Sequence, residues 1–504
     1  MQSFDRTTFR LPLTLALALT FNVVFWNESL GLNLFLFSGL LMGTLLYLQP
    51  QAWKSQAVVW TTLGTVLSAA MVVAFNSTTA KVIHLCSLLA WAGFVHAPQF
   101  RSLLYAVGQS GQQFLGLGNS LGKELGRMSQ ANHQLRRVLP YLKVSLVPIL
   151  VLGIFFAIFY GANPAFAEAT ESIVAWLNGW WKDFSWGRIG FFLLGFFLVG
   201  GLIFHRYHEG LQKKAGSKQD EMVRKRKAWG FNFPFLALKG EYRMAVVLLA
   251  SVNLLLLVNN VLDVQYIWGD FGNFSGPELK QFVHEGTYLL ILSVLLAMGI
   301  MLHFFRGNLN FYRKNRPLRF LSYAWILQNA LLVLGVGVRN YHYIAANGLA
   351  YKRIGVVFFL LLTLFGLFTL FLKIRDRLST YYLFRANGWA LYGMMMLMCL
   401  VNWDPFIAQY NLDHFEKTEM IDRDFLLSLS DKTLALYLTH EEALLLKDQS
   451  STGYANYFQS RLNGFADSWE EKSWLSWNWA DHQSYTAVKA RLSAQTQTSQ
   501  HLNP

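Results

Sequence analysis

Eleven apolar stretches constrain this chain more than any other feature. They run at about 11–26, 31–48, 56–75, 80–97, 142–161, 187–205, 244–262, 282–305, 320–338, 354–372 and 386–403. A hydrocarbon core about 30 Å thick takes roughly 20 apolar residues in a helix, and each stretch meets or approaches that length. Only 14% of the 504 residues are charged and 54% are hydrophobic. A soluble domain carries about 25% charged residues, and disordered chains are poor in apolar ones. The pattern therefore predicts an all-α fold, a polytopic membrane helix bundle of about eleven transmembrane helices. The first stretch is short and the fourth holds Lys81 and His84. Arg6 and Arg10 precede the first as in a signal peptide, but no A-x-A site follows, so it reads as a retained helix.

Charge distribution predicts orientation. With the N-terminus inside, the inside segments of residues 1–403 hold 28 Lys and Arg against 7 in the outside segments, a strong positive-inside bias. An odd number of spans then places residues 404–504 outside, and that region is acidic, net −6, where residues 1–403 are net +20. The basic excess, including Arg224-Lys225-Arg226-Lys227, reads as a topology signal that also meets anionic headgroups. The lipid bilayer is the expected partner and nucleic acid is not.

The chain divides into six spans (1–205), a basic cytoplasmic linker (206–243) whose stretch Lys213–Lys218 reads as exposed, five spans (244–403) and a small helical extracytoplasmic C-terminal region (404–504). Residues 162–186, with Trp176, Trp180, Trp181 and Trp186, read as an interfacial helix, because Trp favours the headgroup level. In the C-terminal region, Phe425-Leu426-Leu427 and Leu434, Leu436, Tyr437 fall at helical spacing, with Asp431 as a cap. Trp469, Trp474, Trp477 and Trp479 read as a small core or a surface docked on the bundle. No internal repeat is visible, which weakens a transporter reading.

Ionisable groups near membrane depth are costly and mark candidate sites. Asp263, His284, Glu285, Arg339, Tyr343 and Arg353 all fall near the outer interface on the spans of the second half, so the two acids and two arginines could pair or could line an outward-facing binding cavity. Gln328 and Asn329 lie nearer mid-depth. Lone His84, His96 and His303 read as packing residues. Catalytic signatures fail. His284-Glu285-Gly286-Thr287-Tyr288 and His440-Glu441-Glu442-Ala443-Leu444 both lack the second histidine of a zinc-protease helix. Cys86 and Cys399 sit in apolar stretches and build no metal cluster. No catalytic residue, metal ligand or cofactor is predicted.

Several segments together resemble the bacterial multi-spanning membrane proteins grouped as domain of unknown function 4173, with their relative 4153. Phe25-Trp26-Asn27-Glu28 and Gly31–Phe35 resemble the family's first loop. Gly161–Ala167 resembles its A-D-P-x-F-A stretch, with Asn163 in place of Asp. Asn253, Gln265 and Tyr266 resemble an N…Q-x-Y motif. Gln281–Gly286 resembles a further segment, with Glu285 in place of a basic residue. Arg339–Tyr343, Asn347-Gly348-Leu349 and Arg353 resemble R-x-x-x-Y…Y-G-L…R. In the tail, Asp422–Leu427 and Trp474–Asn478 resemble D-x-x-Y-L-L and W-x-S-W-N. The resemblance implies a bacterial cytoplasmic-membrane protein and assigns no activity. Three readings follow: a non-enzymatic envelope sensor or scaffold whose tail meets an extracytoplasmic protein partner, a secondary transporter using the outer polar cluster between spans 7 and 10, and a membrane enzyme acting on a lipid-linked substrate. In the third, Glu285 or Asp263 would be the base, and Arg339 and Arg353 would hold a phosphate.

Overall fold

The computed structural model describes residues 10–131, 144–145, 148, 151–156, 158–183, 185–204, 219–224, 238–265, 292, 294, 296, 298–305, 307–418, 422–444 and 452–502. These residues are helical throughout, apart from 3-10 turns, loops and one isolated antiparallel bridge between Glu221 and Leu378. Helices α1 (Arg10–Phe25), α2 (Leu32–Leu48), α3 (Gln56–Phe75), α4 (Thr78–His96), α5 (Leu103–Ala131), α6 (Pro164–Asp183) and α7 (Trp186–Ile203) come from the first part of the chain. The second part supplies α8 (Leu238–Asp263), α9 (Arg316–Asn347), α10 (Tyr351–Arg375), α11 (Thr380–Cys399) and α12 (Trp403–Thr418). The tail supplies α13 (Arg423–Leu427), α14 (Leu434–Thr439), α15 (Thr452–Glu470) and α16 (Trp479–Leu502).

Among the described residues, six helices (α3, α4, α7, α8, α9 and α10) are long and apolar enough to cross a membrane. A seventh candidate is the pair α11 and Trp403–His414, bent by 65°. Helices α1 and α2, of 16 and 17 residues, and the stretch Val151–Ala162 are apolar but shorter. At about 1.5 Å per residue, α1 and α2 reach roughly 25 Å. Most of the apolar stretch expected at 282–305 lies outside the described residues, as do seven residues of 142–161.

Small residues let these helices approach closely. A Cβ on Gly195 of α7 would overlap the Phe21 ring of α1, and one on Gly93 of α4 would overlap the Ala106 carbonyl of α5. Without a solvent-driven force between apolar helices in lipid, such contact area is what holds them. Helix α5 is too polar for its hydropathy to mark it as a span. It buries Gln109, Ser110 and Gln113 beside Ala106 and Leu117, and glycines dilute the rest of its surface. Its contacts from Ala106 to Leu117 meet α4 near Leu89–Gly93 and α7 at Gly200 and Gly201. In the second part, α9 packs between α8 and α10, and α11 packs on α10. The same α11 touches α3, α4 and α5, so it joins the two parts.

At the end of the bundle opposite the tail, the linker residues Gln219–Arg224 are seated on the turn between α10 and α11. Ser379 N–H donates to the Asp220 carbonyl at 2.7 Å and Met222 N–H to Arg377 at 3.1 Å. The Asp220 carboxylate receives a two-point contact from Arg385 and a further one from Arg101 at 3.2 Å. One acid thus ties three loops together. The linker stretch Lys213–Lys218 lies outside the described residues.

Among the described residues the tail shares its core with the bundle. Leu426, Leu434, Tyr437, Leu462, Phe465 and Val488 join one apolar cluster with Leu349, Ile354, Trp403 and Ile407 from the helix ends below. Tyr437 is fully buried and donates its hydroxyl to the Leu426 carbonyl; burial pushes its phenol pKa up to about 12. Asp422 accepts from Phe425 N–H at 3.0 Å and caps α13, as short polar side chains do at a helix start. Trp469 and Trp477 pack on His482 at about 6 Å, whereas Trp474 and Trp479 are more than half exposed.

Candidate functional site

Many polar groups inside the bundle are bonded across helices. Arg339 of α9, 4% exposed at its side chain, donates from Nη2 to Oδ1 of Asp263 at the end of α8, at 2.6 Å. Three residues elsewhere join α8 to α9 at mid-depth: Gln328 donates to the Asn253 side chain at 2.8 Å, Asn253 donates to the Leu321 carbonyl, and Asn260 to the Gln328 carbonyl. In the first part, His84 has a serine hydroxyl on each ring nitrogen, Ser38 at 2.9 Å and Ser68 at 3.1 Å. Beside it, Ser87 bonds both Thr65 and the Tyr392 hydroxyl of α11. His96 bridges Gln49 and the Leu202 carbonyl. These are helix-to-helix ties, and a buried polar group left without one costs several kcal/mol in lipid, on the order of its desolvation.

The seam between the bundle and the tail is different. Gly348 ends α9 at φ 77°, a left-handed conformation in which glycine alone is unstrained. Asn411 of α12 then faces Leu349 like a neighbouring strand, accepting its N–H and donating to its carbonyl at 2.9 Å. A Cβ at Gly348 would overlap that Asn411 side chain. Asp404 accepts from Tyr351 of α10 and from Ser430 of the tail. Farther round the same end, the Leu32 N–H donates to the Trp477 carbonyl at 2.9 Å, and Ser476 donates to Glu28. Gly31 permits that approach, because a Cβ there would stand 2.6 Å from the carbonyl oxygens of Ser476 and Trp477. Asp481 accepts from Asn76, at the α3–α4 turn, at 3.2 Å.

A cavity of about 790 Å³ opens in this seam, between the α9–α10 turn and α12, α13 and α15. Its charged lining is Arg353, Asp422, Arg423 and Asp424, joined by Tyr343, Asn411, His414 and Tyr454. Arg353 donates from Nη1 to the carbonyls of Asn347, at 2.7 Å, and Gly348, and its guanidinium lies 4.4 Å from the centre of the Tyr343 ring. Arg423 donates to the Ala443 carbonyl at 3.3 Å. Asp424 accepts from the Tyr454 hydroxyl at 2.9 Å.

The residues singled out by sequence therefore separate. Asp263 and Arg339 form a closed ion pair. Tyr343 and Arg353 stack beside each other at the cavity wall. His284 and Glu285 lie outside the described residues. Gln328 is tied to Asn253, while Asn329 donates to the Trp325 carbonyl of its own helix at 2.8 Å. Sequence reasoning missed Asn411, His414, Asp422, Arg423, Asp424 and Tyr454 as lining residues. Their signal is indirect: Arg339–Arg353 and Asp422–Leu427 both resemble family motifs, and the fold brings the two together. The other motif-like pair, the Phe25–Phe35 loop and Trp474–Asn478, also meets. In the His440–Leu444 stretch, Leu444 is core, and Glu441 pairs with Arg491 at 3.1 Å. No group of three His, Cys, Asp or Glu that could hold a metal occurs among the described residues.

An all-helical membrane protein with a motif-built seam at one end is the class that these features define. The chain belongs to the family described as Domain of unknown function (DUF4153), whose model matches residues 36–439. That span covers the helices from α2 to α14 and includes every residue that bonds across the α9–α10 turn. No curated protein and no solved structure matches the chain.

Proposed function

We propose that the protein is a non-enzymatic envelope sensor or scaffold. About eleven helices anchor it in a bacterial cytoplasmic membrane with the N-terminus inside, and the bundle holds the C-terminal region on the extracytoplasmic side for a protein partner. The observation that carries this reading is the attachment of the tail. It is bonded to the α1–α2 and α3–α4 turns and to α12, which is itself bonded to the α9–α10 turn, at one end of the bundle. A tail held at three places is a built platform.

The orientation is supported by the opposite end, where Lys54, Arg101, Arg375, Arg377 and Arg385 gather, as the positive-inside rule expects of a cytoplasmic face. The transporter reading needs a polar path to mid-depth, and the mid-depth amides bond each other across α8 and α9 instead. The enzyme reading needs Arg339 and Arg353 on one substrate, and Arg339 is committed to Asp263.

Photo-cross-linking in native membranes tests the proposal. A photoreactive residue at Tyr457 of α15, 54% exposed, should give one discrete protein adduct; one at the exposed Leu254 of α8 should give lipid adducts only. Lipid adducts alone at both positions would overturn a platform for a protein partner.

A further inference from the structure

We propose that the seam cavity binds a phosphate ester that also carries a protonated amine, a phosphoethanolamine-type group. This rests on the reading of the seam as the place where the tail meets the bundle, and it adds a ligand to that place. Two arginines line the cavity, Arg353 at the start of α10 in the bundle and Arg423 at the start of α13 in the tail. Elsewhere in the tail, arginines have carboxylate partners: Arg461 with Asp431 at 2.7 Å and Arg491 with Glu441 at 3.1 Å. Arg353 and Arg423 have none among the described residues, although Asp422 and Asp424 line the same cavity. Of Arg423, only one terminal nitrogen, Nη2, has an acceptor among the described residues, the Ala443 carbonyl. Only Nη1 of Arg353 is bonded, which with the Tyr343 stacking fixes the guanidinium and leaves Nε and Nη2 without acceptors among the described residues.

Two oriented guanidinium groups with donors to fill match an oxyanion. A carboxylate would be satisfied by one arginine fork, whereas a phosphate ester offers oxygens to both. A plain anion would sit beside two carboxylates that repel it. Each of these has one oxygen occupied, Asp422 by the Phe425 N–H and Asp424 by the Tyr454 hydroxyl. The other oxygen of each can accept from an ammonium group. Charge of both signs in one cavity therefore fits a zwitterion better than an anion. The volume of about 790 Å³ exceeds what such a headgroup alone would fill, within the usual range for small-molecule sites. A lipid headgroup and a soluble ester share this chemistry.

The test uses the full chain in detergent and titrates glycerophosphoethanolamine, glycerophosphate and inorganic phosphate by calorimetry, with protease protection of the tail as a second readout. Glycerophosphoethanolamine should bind the wild type. Arg423→Gln and Arg353→Gln should each weaken it about tenfold or more, the loss typical of a charge-assisted hydrogen bond. Asp424→Asn should weaken glycerophosphoethanolamine but not glycerophosphate, and Arg423→Lys should retain part of the affinity. Nanodiscs rich in phosphatidylethanolamine, compared with phosphatidylglycerol discs, locate the source. Competition from the former points to a lipid headgroup and its absence to a soluble ester, and either sustains the proposal. Equal binding of glycerophosphate, or binding unaffected by the arginine variants, would overturn it. Lack of binding with the tail still protected overturns the ligand alone. A tail already open to protease in the wild type would overturn the platform itself.

Discussion

Arg339 and Arg353 flank one interhelical turn, fourteen residues apart, and their charges are met in different ways. Arg339 lies within α9 and is closed against Asp263 of the neighbouring helix. Arg353 lies at the start of α10, bonded to backbone carbonyls and stacked on a ring, with no carboxylate partner among the described residues although two line the same cavity. The difference follows from solvent. In hydrocarbon a charge needs an opposite charge or backbone carbonyls around it; Lys373 of α10, fully buried, donates to the Phe305 carbonyl at 2.7 Å. At the membrane end water can hold a charge until a ligand replaces it. Within the bundle a polar residue is thus evidence of packing, and at the seam it is evidence of binding capacity.

The largest expected effect breaks the closed pair. Asp263→Asn or Arg339→Gln should each cost about 3–5 kcal/mol, because either breaks an ion pair between buried groups. The double variant should lose less than the sum of the two. Unfolding of the four proteins in detergent measures both, and single variants as stable as wild type would place Arg339 in the same category as Arg353.

Next, the tail attachment can be loosened without touching charge. Gly31→Ala forces a Cβ into the backbone of Ser476 and Trp477, at a cost of about 1–3 kcal/mol for overpacking. Cleavage near Trp474 by added protease should quicken while the bundle stays intact. An unchanged cleavage rate would mean that the Ser476–Trp477 contact does not hold the tail.

A smaller effect probes the hydroxyl chain that joins the two parts of the bundle. Tyr392→Phe removes the bond to Ser87 and should cost about 0.5–1.5 kcal/mol, since Ser87 keeps Thr65. Gly64→Ala would push against the same hydroxyl and should cost more than Tyr392→Phe alone. In the double variant the penalty of Gly64→Ala should shrink, and strictly additive losses would deny that the two residues touch.

Least change is expected at the seam. Arg423→Gln, without ligand, should stay within about 0.5 kcal/mol of wild type, because the only acceptor on Arg423 among the described residues is a carbonyl at 3.3 Å. A loss as large as that of Asp263→Asn would erase the contrast between the two regions.

Much of this was readable along the chain, and the reason is local. The stretches expected at 56–75, 80–97, 187–205 and 354–372 coincide closely with α3, α4, α7 and α10, because runs of apolar residues form helices in lipid whatever their neighbours are. Helix α5 escaped, since its buried face carries glutamines and serine where hydropathy expects leucine. The possible partners of Arg339 were legible as a group of charges at one depth, and Asp263 was among them. That Arg353 would face Arg423 and not Asp263 was not legible, because no local rule relates residues seventy positions apart.

Hydrophobic length, charge asymmetry and the absence of catalytic spacing belong to the sequence by itself. They determine a helical membrane protein and the ends at which its basic and acidic residues collect, since each depends only on transfer free energies summed over neighbours. Partnership belongs to the tertiary structure. Whether a buried aspartate meets an arginine, and whether Trp474–Asn478 lies on the Phe25–Phe35 loop, depends on helix crossing and on which glycines let backbones touch. Those are properties of surfaces brought together by the whole fold, and the cavity between Arg353 and Arg423 exists only there.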